Sequence, residues 1–270
     1  VRLLLLILLA ASIRVEGPAA EKEHLERRIP RLLAEVEGAL GFIFDGEIRV
    51  RLASTDEEFR RLGLDPPPWS AAVAIPADFS LVVRLSAMGP PAVTDISSAI
   101  RHELTHLLLP VRLRGARVPL WFEEGLAQIV GGRVFRTDLD LVPAAAARGG
   151  LIPFPDIARS FPTEGGRAAL AYAQSESFAA FIMKGPGVVP LLDAVAAHGS
   201  LHAGLAKGFG EDLDSLETAW RATLARGGWW LGPLAGALIP LLLFACSVLV
   251  FLAFLRARRR KRRTYEALPE

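Results

Sequence analysis

The stretch TDISSAIRHELTHLLLP, residues 94–110, decides how the chain reads. Thr94 or Asp95 is placed to cap a helix, and Pro110 is placed to end it. Ile96, Ala99, Ile100, Leu104, Leu107 and Leu108 recur at helical spacing, so the helix is expected to be largely buried. His102 and His106 are four apart and lie one turn apart on one face, where both rings can point at one ion. Glu103 is rotated about 100° away, within reach of a water held by the ion rather than the ion itself. Burying two histidines and a glutamate with no ion would be costly.

A catalytic metal of this kind needs a third protein ligand and an open position. The stretch VPLWFEEGLAQIVGG, residues 118–132, offers it. Pro119 suits a first helical turn and Gly131–Gly132 a stop. Leu120, Trp121, Ile129 and Val130 read as core. Glu123 and Glu124 face about 100° apart, so only one of them can face the ion.

HELTH followed by WFEEGLA resembles the gluzincin zinc metallopeptidases, most of all the small peptidase-MA-like group, over roughly residues 25–185. The resemblance implies a thermolysin-like minimal catalytic domain and one Zn2+ per chain. It implies His102, His106 and Glu124 as metal ligands, with Glu124 standing 18 positions after His106. Glu103 takes the general-base role, and Glu123 a second role toward a substrate amino group or simply exposure. AYAQSESFAAFIMK, residues 171–184, is similar to a helix of the same families. Gluzincins often stabilise the oxyanion with a tyrosine or histidine, which makes Tyr172 the candidate here. Ser175 and Glu176 would support it. Gln128 stands where related enzymes often carry an acid; as an amide it would orient a metal-binding histidine without raising its basicity much. The resemblance also implies that SLVVRL, residues 80–85, is a sheet edge beside the cleft, the alternative being an ordinary core strand.

Upstream, residues 18–40 carry apolar positions at helical spacing, with Pro30 inside. IRVRLAS (48–54) alternates as a strand, and Ser54 with Glu57 has the spacing of a helix cap. AAVAI (71–75) and SLVVRL are two further strands around a turn with Pro76 and Asp78. DPPPW (65–69), GPPAVTD (89–95) and PAAAARGG (143–150) read as loops. A small sheet followed by helices gives an α+β domain over residues 18–226. His198 and His202 are also four apart, but Gly199 intervenes and the flanks are loop-like, so they read as surface residues.

The ends of the chain differ from this middle. Of 270 residues 51% are hydrophobic, and the excess is terminal. LLLLILLAA (3–11) after Arg2 reads as a signal peptide or N-terminal apolar segment over residues 1–17, with cleavage after Ser12 or Gly17. WWLGPLAGALIPLLLFACSVLVFLAFL (229–255) holds no charge and is long enough for a transmembrane helix. Seven basic residues follow in 256–263, and the positive-inside rule makes 256–270 a cytoplasmic tail. The tail carries seven bases and two acids, +5, so the remainder of the +2 chain is −3. That balance excludes a nucleic-acid footprint on the outer domain. The one cysteine, Cys246, lies in the apolar segment, so the domain has no disulfide.

These features predict a single-pass, membrane-anchored, extracytoplasmic zinc peptidase with a peptide or protein substrate. The alternative is a catalytically silent zinc-binding ectodomain serving as an envelope interaction module.

Overall fold

The computed structural model describes residues 11–64, 66, 70–88, 96–131, 141–226, 241–249, 251 and 254. The apolar run 3–10, the caps Thr94 and Asp95, the stop Gly132, Trp229, Trp230 and the basic tail lie outside the described residues, as do most of DPPPW and all of GPPAVTD.

Strand β1 (Ser12–Glu16), helix α1 (Ala19–Leu40) and strand β2 (Glu47–Ala53) form a β-α-β unit with parallel strands. Helix α2 (Asp56–Leu62), strand β3 (Ala72–Ile75) and strand β4 (Ser80–Arg84) complete the sheet. Its order is β1-β2-β4-β3, with β2 and β4 parallel and β3 antiparallel to β4. Residues 12–16, read from sequence as part of a leader, are therefore an edge strand of the sheet. The folded unit begins before residue 18. Three strands run parallel, a feature that alternation alone does not reveal.

The period-2 pattern sorts the two faces of the sheet. Ile48, Val50, Leu52, Leu81 and Val83 enter the main core with α1. Ala53 and Val82 turn the other way and are covered by Phe59 of α2. The α2 cap is one residue later than the Ser54–Glu57 spacing indicates. Thr55 Oγ1 accepts from the Glu58 N–H, and Glu58 Oε2 accepts from the Ser54 N–H.

The helical half follows. Helix α3 (Ile96–Arg112) carries Pro110 inside its last turn rather than at its end. Helix α4 (Leu120–Gly131) begins just after Pro119. Trp121 is core as expected, whereas Ile129 is exposed. Residues 143–147, read as a loop, belong to helix α5 (Leu141–Ala147), since the alanine run has high helix propensity. Helices α6 (Gly165–Met183), α7 (Val188–His198), α8 (Leu201–Phe209) and α9 (Leu213–Arg226) close the domain. His198 and His202 are exposed on either side of the α7–α8 turn. Behind the site, Trp121, Phe154, Phe178 and Trp220 stack with ring centroids 4.7–5.6 Å apart. Such contacts add to the large apolar area these rings bury.

Among the described residues no single helix is long and apolar enough to cross a membrane. Residues 241–249 are helical, and Leu241, Leu242, Leu243 and Phe244 are exposed.

Candidate metal centre

Helix α3 delivers two histidines from its buried face and helix α4 delivers a carboxylate. His102 Nε2 and His106 Nε2 lie 3.1 Å apart. Glu124 Oε2 stands 3.3 Å from the first and 3.5 Å from the second. Three donor atoms thus converge from two helices, close enough to share one ion. Glu124 Oε2 is buried and accepts no hydrogen bond among the described residues. An orphaned carboxylate oxygen facing two imidazole nitrogens is what a bound cation would resolve. The donor set, two imidazoles and a carboxylate, suits a divalent transition ion of the zinc type.

Two glycines let these helices approach. A Cβ on Gly131 would lie 2.3 Å from the backbone nitrogen of His102. A Cβ on Gly125 would lie 2.4 Å from the carbonyl oxygen of Ser175 on α6. Helix α4 is therefore wedged between α3 and α6, with its backbone against both.

Glu103 reaches the sheet from beside the histidine pair. Its Oε2 accepts from the Ala74 N–H at 2.8 Å. Burial raises the Glu103 pKa above the usual carboxylate value; the charges of His102 and His106 and the Ala74 hydrogen bond oppose that rise. Ala74 belongs to β3, so the sheet edge beside this carboxylate is β3. SLVVRL is instead the interior strand β4, paired on both sides and buried along Ser80–Val83.

The supporting residues differ from the sequence expectation. His106 Nδ1 meets Glu123 Oε1 at 3.1 Å, so Glu123 holds a histidine rather than facing solvent or a substrate amine. Burial lowers the His106 pKa, but Glu124 and Glu123 outweigh it and leave it well above the ordinary value. Burial likewise disfavours the Glu124 anion, yet His106 and His102 hold its pKa far below the usual range. Among the described residues Gln128 makes no hydrogen bond to either histidine. Its Nε2 donates to the Tyr172 carbonyl oxygen at 2.8 Å, tying α4 to α6. The resemblance placed Gln128 beside a metal-binding histidine, but it lies three residues from Gly125 and its side chain bonds to α6.

Tyr172 projects from α6 with its ring 4.9 Å from that of Phe161, edge to face. Burial raises its pKa, and the negative charges of Glu124 and Glu103 raise it further, so the phenol stays protonated and able to donate. Those two influences place Tyr172 within the electrostatic reach of the cluster. Ser175 is buried against α4, and Glu176 is partly buried.

Two helices presenting a His-His-Glu cluster, with a further carboxylate held at a sheet edge, define a candidate metal centre. Residues 42–226 match the family model of the Peptidase MA superfamily, and the chain belongs to that superfamily. No curated protein and no solved structure matches the chain.

Proposed function

We propose that the protein is a zinc-dependent peptidase, held at a membrane by residues 229–255 with its 18–226 domain extracytoplasmic and residues 256–270 cytoplasmic. The observation that carries the catalytic reading is the placement of Glu103. It stands beside the His102, His106 and Glu124 cluster, held by an edge-strand N–H and clear of the ligand atoms.

His102, His106 and Glu124 would hold the ion. Zinc at such a site supplies Lewis-acid polarisation of a carbonyl and a lowered pKa for a bound water. Glu103 accepts a proton from the attacking water and hands it to the leaving amine. Tyr172 donates its O–H to the developing oxyanion. The substrate adds to the outer edge of β3 as an extra strand, beside the Ala74 N–H that holds Glu103, which supplies main-chain binding without demanding particular side chains. The charge-free run, the exposed apolar residues of its helical part 241–249 and the seven bases that follow support the anchor.

Glu103→Gln tests this function against the silent ectodomain. The amide oxygen still accepts from Ala74, so the fold and the metal content are expected to stay. Peptide cleavage falls by about 10²–10⁴, the usual worth of a general base. If wild type and variant both leave a broad peptide library uncut, the chain is a metal-binding module. Metal analysis of the wild type and of His106→Ala tests the ion itself, with zinc near one per chain expected only in the wild type.

A further inference from the structure

A second polar cavity lies between α1 and the start of α3, outside the metal cluster. It measures about 400 Å³, and Arg27, Arg28, Arg31 and Arg101 line it with Ser97 and Glu35. Four guanidinium groups face one carboxylate within the lining. Glu35 is already shared: Oε1 accepts from Arg31 Nε at 3.0 Å and Oε2 from Arg101 Nη1 at 3.2 Å. Arg27 pairs with Glu23 at 3.2 Å, on the exposed side of α1. Arg28 pairs with no carboxylate in the lining; its Nη2 donates to Ser97 Oγ and its Nη1 lies 3.1 Å from His24 Nε2. Even with Glu35 and Glu23 both counted, two positive charges remain in excess among the described residues.

Arg101 is the fixed member of the group. Its side chain is 22% exposed. Its Nε donates to the Gly131 carbonyl and its Nη2 to Ser98 Oγ, each at 3.2 Å. The other arginines, at positions 27, 28 and 31, stand on neighbouring turns of α1 and line the same opening. A guanidinium matches carboxylate and phosphate geometry alike. A single carboxylate has only two oxygens, and Glu35 shows two arginines using both. Four forks call for an anion with more acceptors and more charge.

We infer that this cavity binds a phosphate-bearing anion, taken either from solution or from a phospholipid headgroup. The inference does not rest on the peptidase reading, since none of the lining residues is a metal ligand or the general base.

The test uses the full chain reconstituted in nanodiscs of phosphatidylcholine, stripped of metal with a chelator, and titrated calorimetrically with inorganic phosphate and with glycerol 3-phosphate. Saturable binding is expected, weakened tenfold or more in Arg28→Gln/Arg31→Gln. The pair Arg60→Gln/Arg61→Gln, on α2, removes the same charge elsewhere and is expected to leave binding within twofold. Arg31→Gln alone, which touches only Glu35, guards against misfolding of the double variant and is expected to weaken binding severalfold. Repetition in phosphatidic-acid nanodiscs separates the sources: loss of the soluble-anion signal there assigns the site to a headgroup, and its persistence assigns it to a free phosphate compound. No saturable binding in phosphatidylcholine nanodiscs, or equal losses in the α1 and α2 double variants, overturns the proposal.

Discussion

Glu123 and Gln128 compete for one job, support of a metal-binding histidine, and a pair of alanine substitutions decides between them. Glu123 Oε1 lies 3.1 Å from His106 Nδ1, with side-chain exposures of 28% and 13%. A carboxylate at that distance fixes the ring and makes its other nitrogen a better donor to a metal. Loss of such a partner typically costs 10–100-fold in metal affinity, or about 1.4–2.8 kcal/mol at about 1.4 kcal/mol per decade. Because Glu123 is in partial contact with water, the lower half of that range is expected. Glu123→Ala should therefore weaken zinc about 10–30-fold. Glu123→Gln should weaken it by less, since its amide oxygen still accepts from Nδ1–H while the charge is gone. Gln128→Ala should leave zinc affinity unchanged. It would instead cost about 0.5–1.5 kcal/mol of stability through the lost hydrogen bond that ties α4 to the Tyr172 carbonyl on α6. Competition against a chromogenic chelator at fixed pH reads the affinities, and thermal unfolding of the metal-free forms reads the stabilities. Zinc affinity within twofold of wild type in Glu123→Ala, or a loss in Gln128→Ala as large as in Glu123→Ala, would refute the assignment.

Other consequences are equally direct. Gly125→Ala forces a methyl to within 2.4 Å of the Ser175 carbonyl; overpacking of this kind costs about 1–3 kcal/mol, read as a lower Tm together with weaker metal binding. In the metal-free protein Glu124 and Glu123 hold a proton on His106 above its ordinary range, against the effect of burial. Metal must displace that proton, so affinity rises with pH across neutrality by up to about tenfold per unit, and calorimetry in buffers of different ionisation enthalpy should count close to one proton released. Trp220→Ala removes a ring that is 1% exposed and whose Nε1 donates to Ser177 Oγ. It should destabilise by about 3–5 kcal/mol, and a stability within 1 kcal/mol of wild type by denaturant titration would show that α9 is dispensable to the core.

Much of this centre is legible in the sequence because helical spacing converts directly into direction. His102 and His106 had to share a face of α3, and Glu103 had to leave it. Strand content was legible from alternation in β2 and from the short apolar runs of β3 and β4, but strand order was not. Pairing is a long-range property, so β4 fitted a sheet edge and a core strand alike, and β1 read as part of a leader. The partner of His106 was illegible for the same reason. Adjacent Glu123 and Glu124 diverge on α4, and only the angle at which α4 crosses α3 shows that both reach the histidines from different sides. Gln128 misled because spacing along one helix says nothing of the other helix packed beside it.

That crossing is itself written in α4. Glu124 and Gly131 are seven residues apart, two turns along one face. Gly131 sets the α4 backbone against the backbone of His102, and Glu124 then meets both imidazole rings. Gly125 and Gln128 mark the adjoining face, where the backbone of α6 comes equally close and Tyr172 is held through its carbonyl. The small residues thus set the distances, and the acids and the amide use them. A longer side chain at Gly131 would push α4 away from α3 and separate Glu124 from the histidines while leaving all three ligand residues in place. Loss of metal in Gly131→Val, with α3 and its histidines unaltered in sequence, would follow from that geometry; full metal occupancy in that variant would mean that the approach of the two helices does not set the ligand distances.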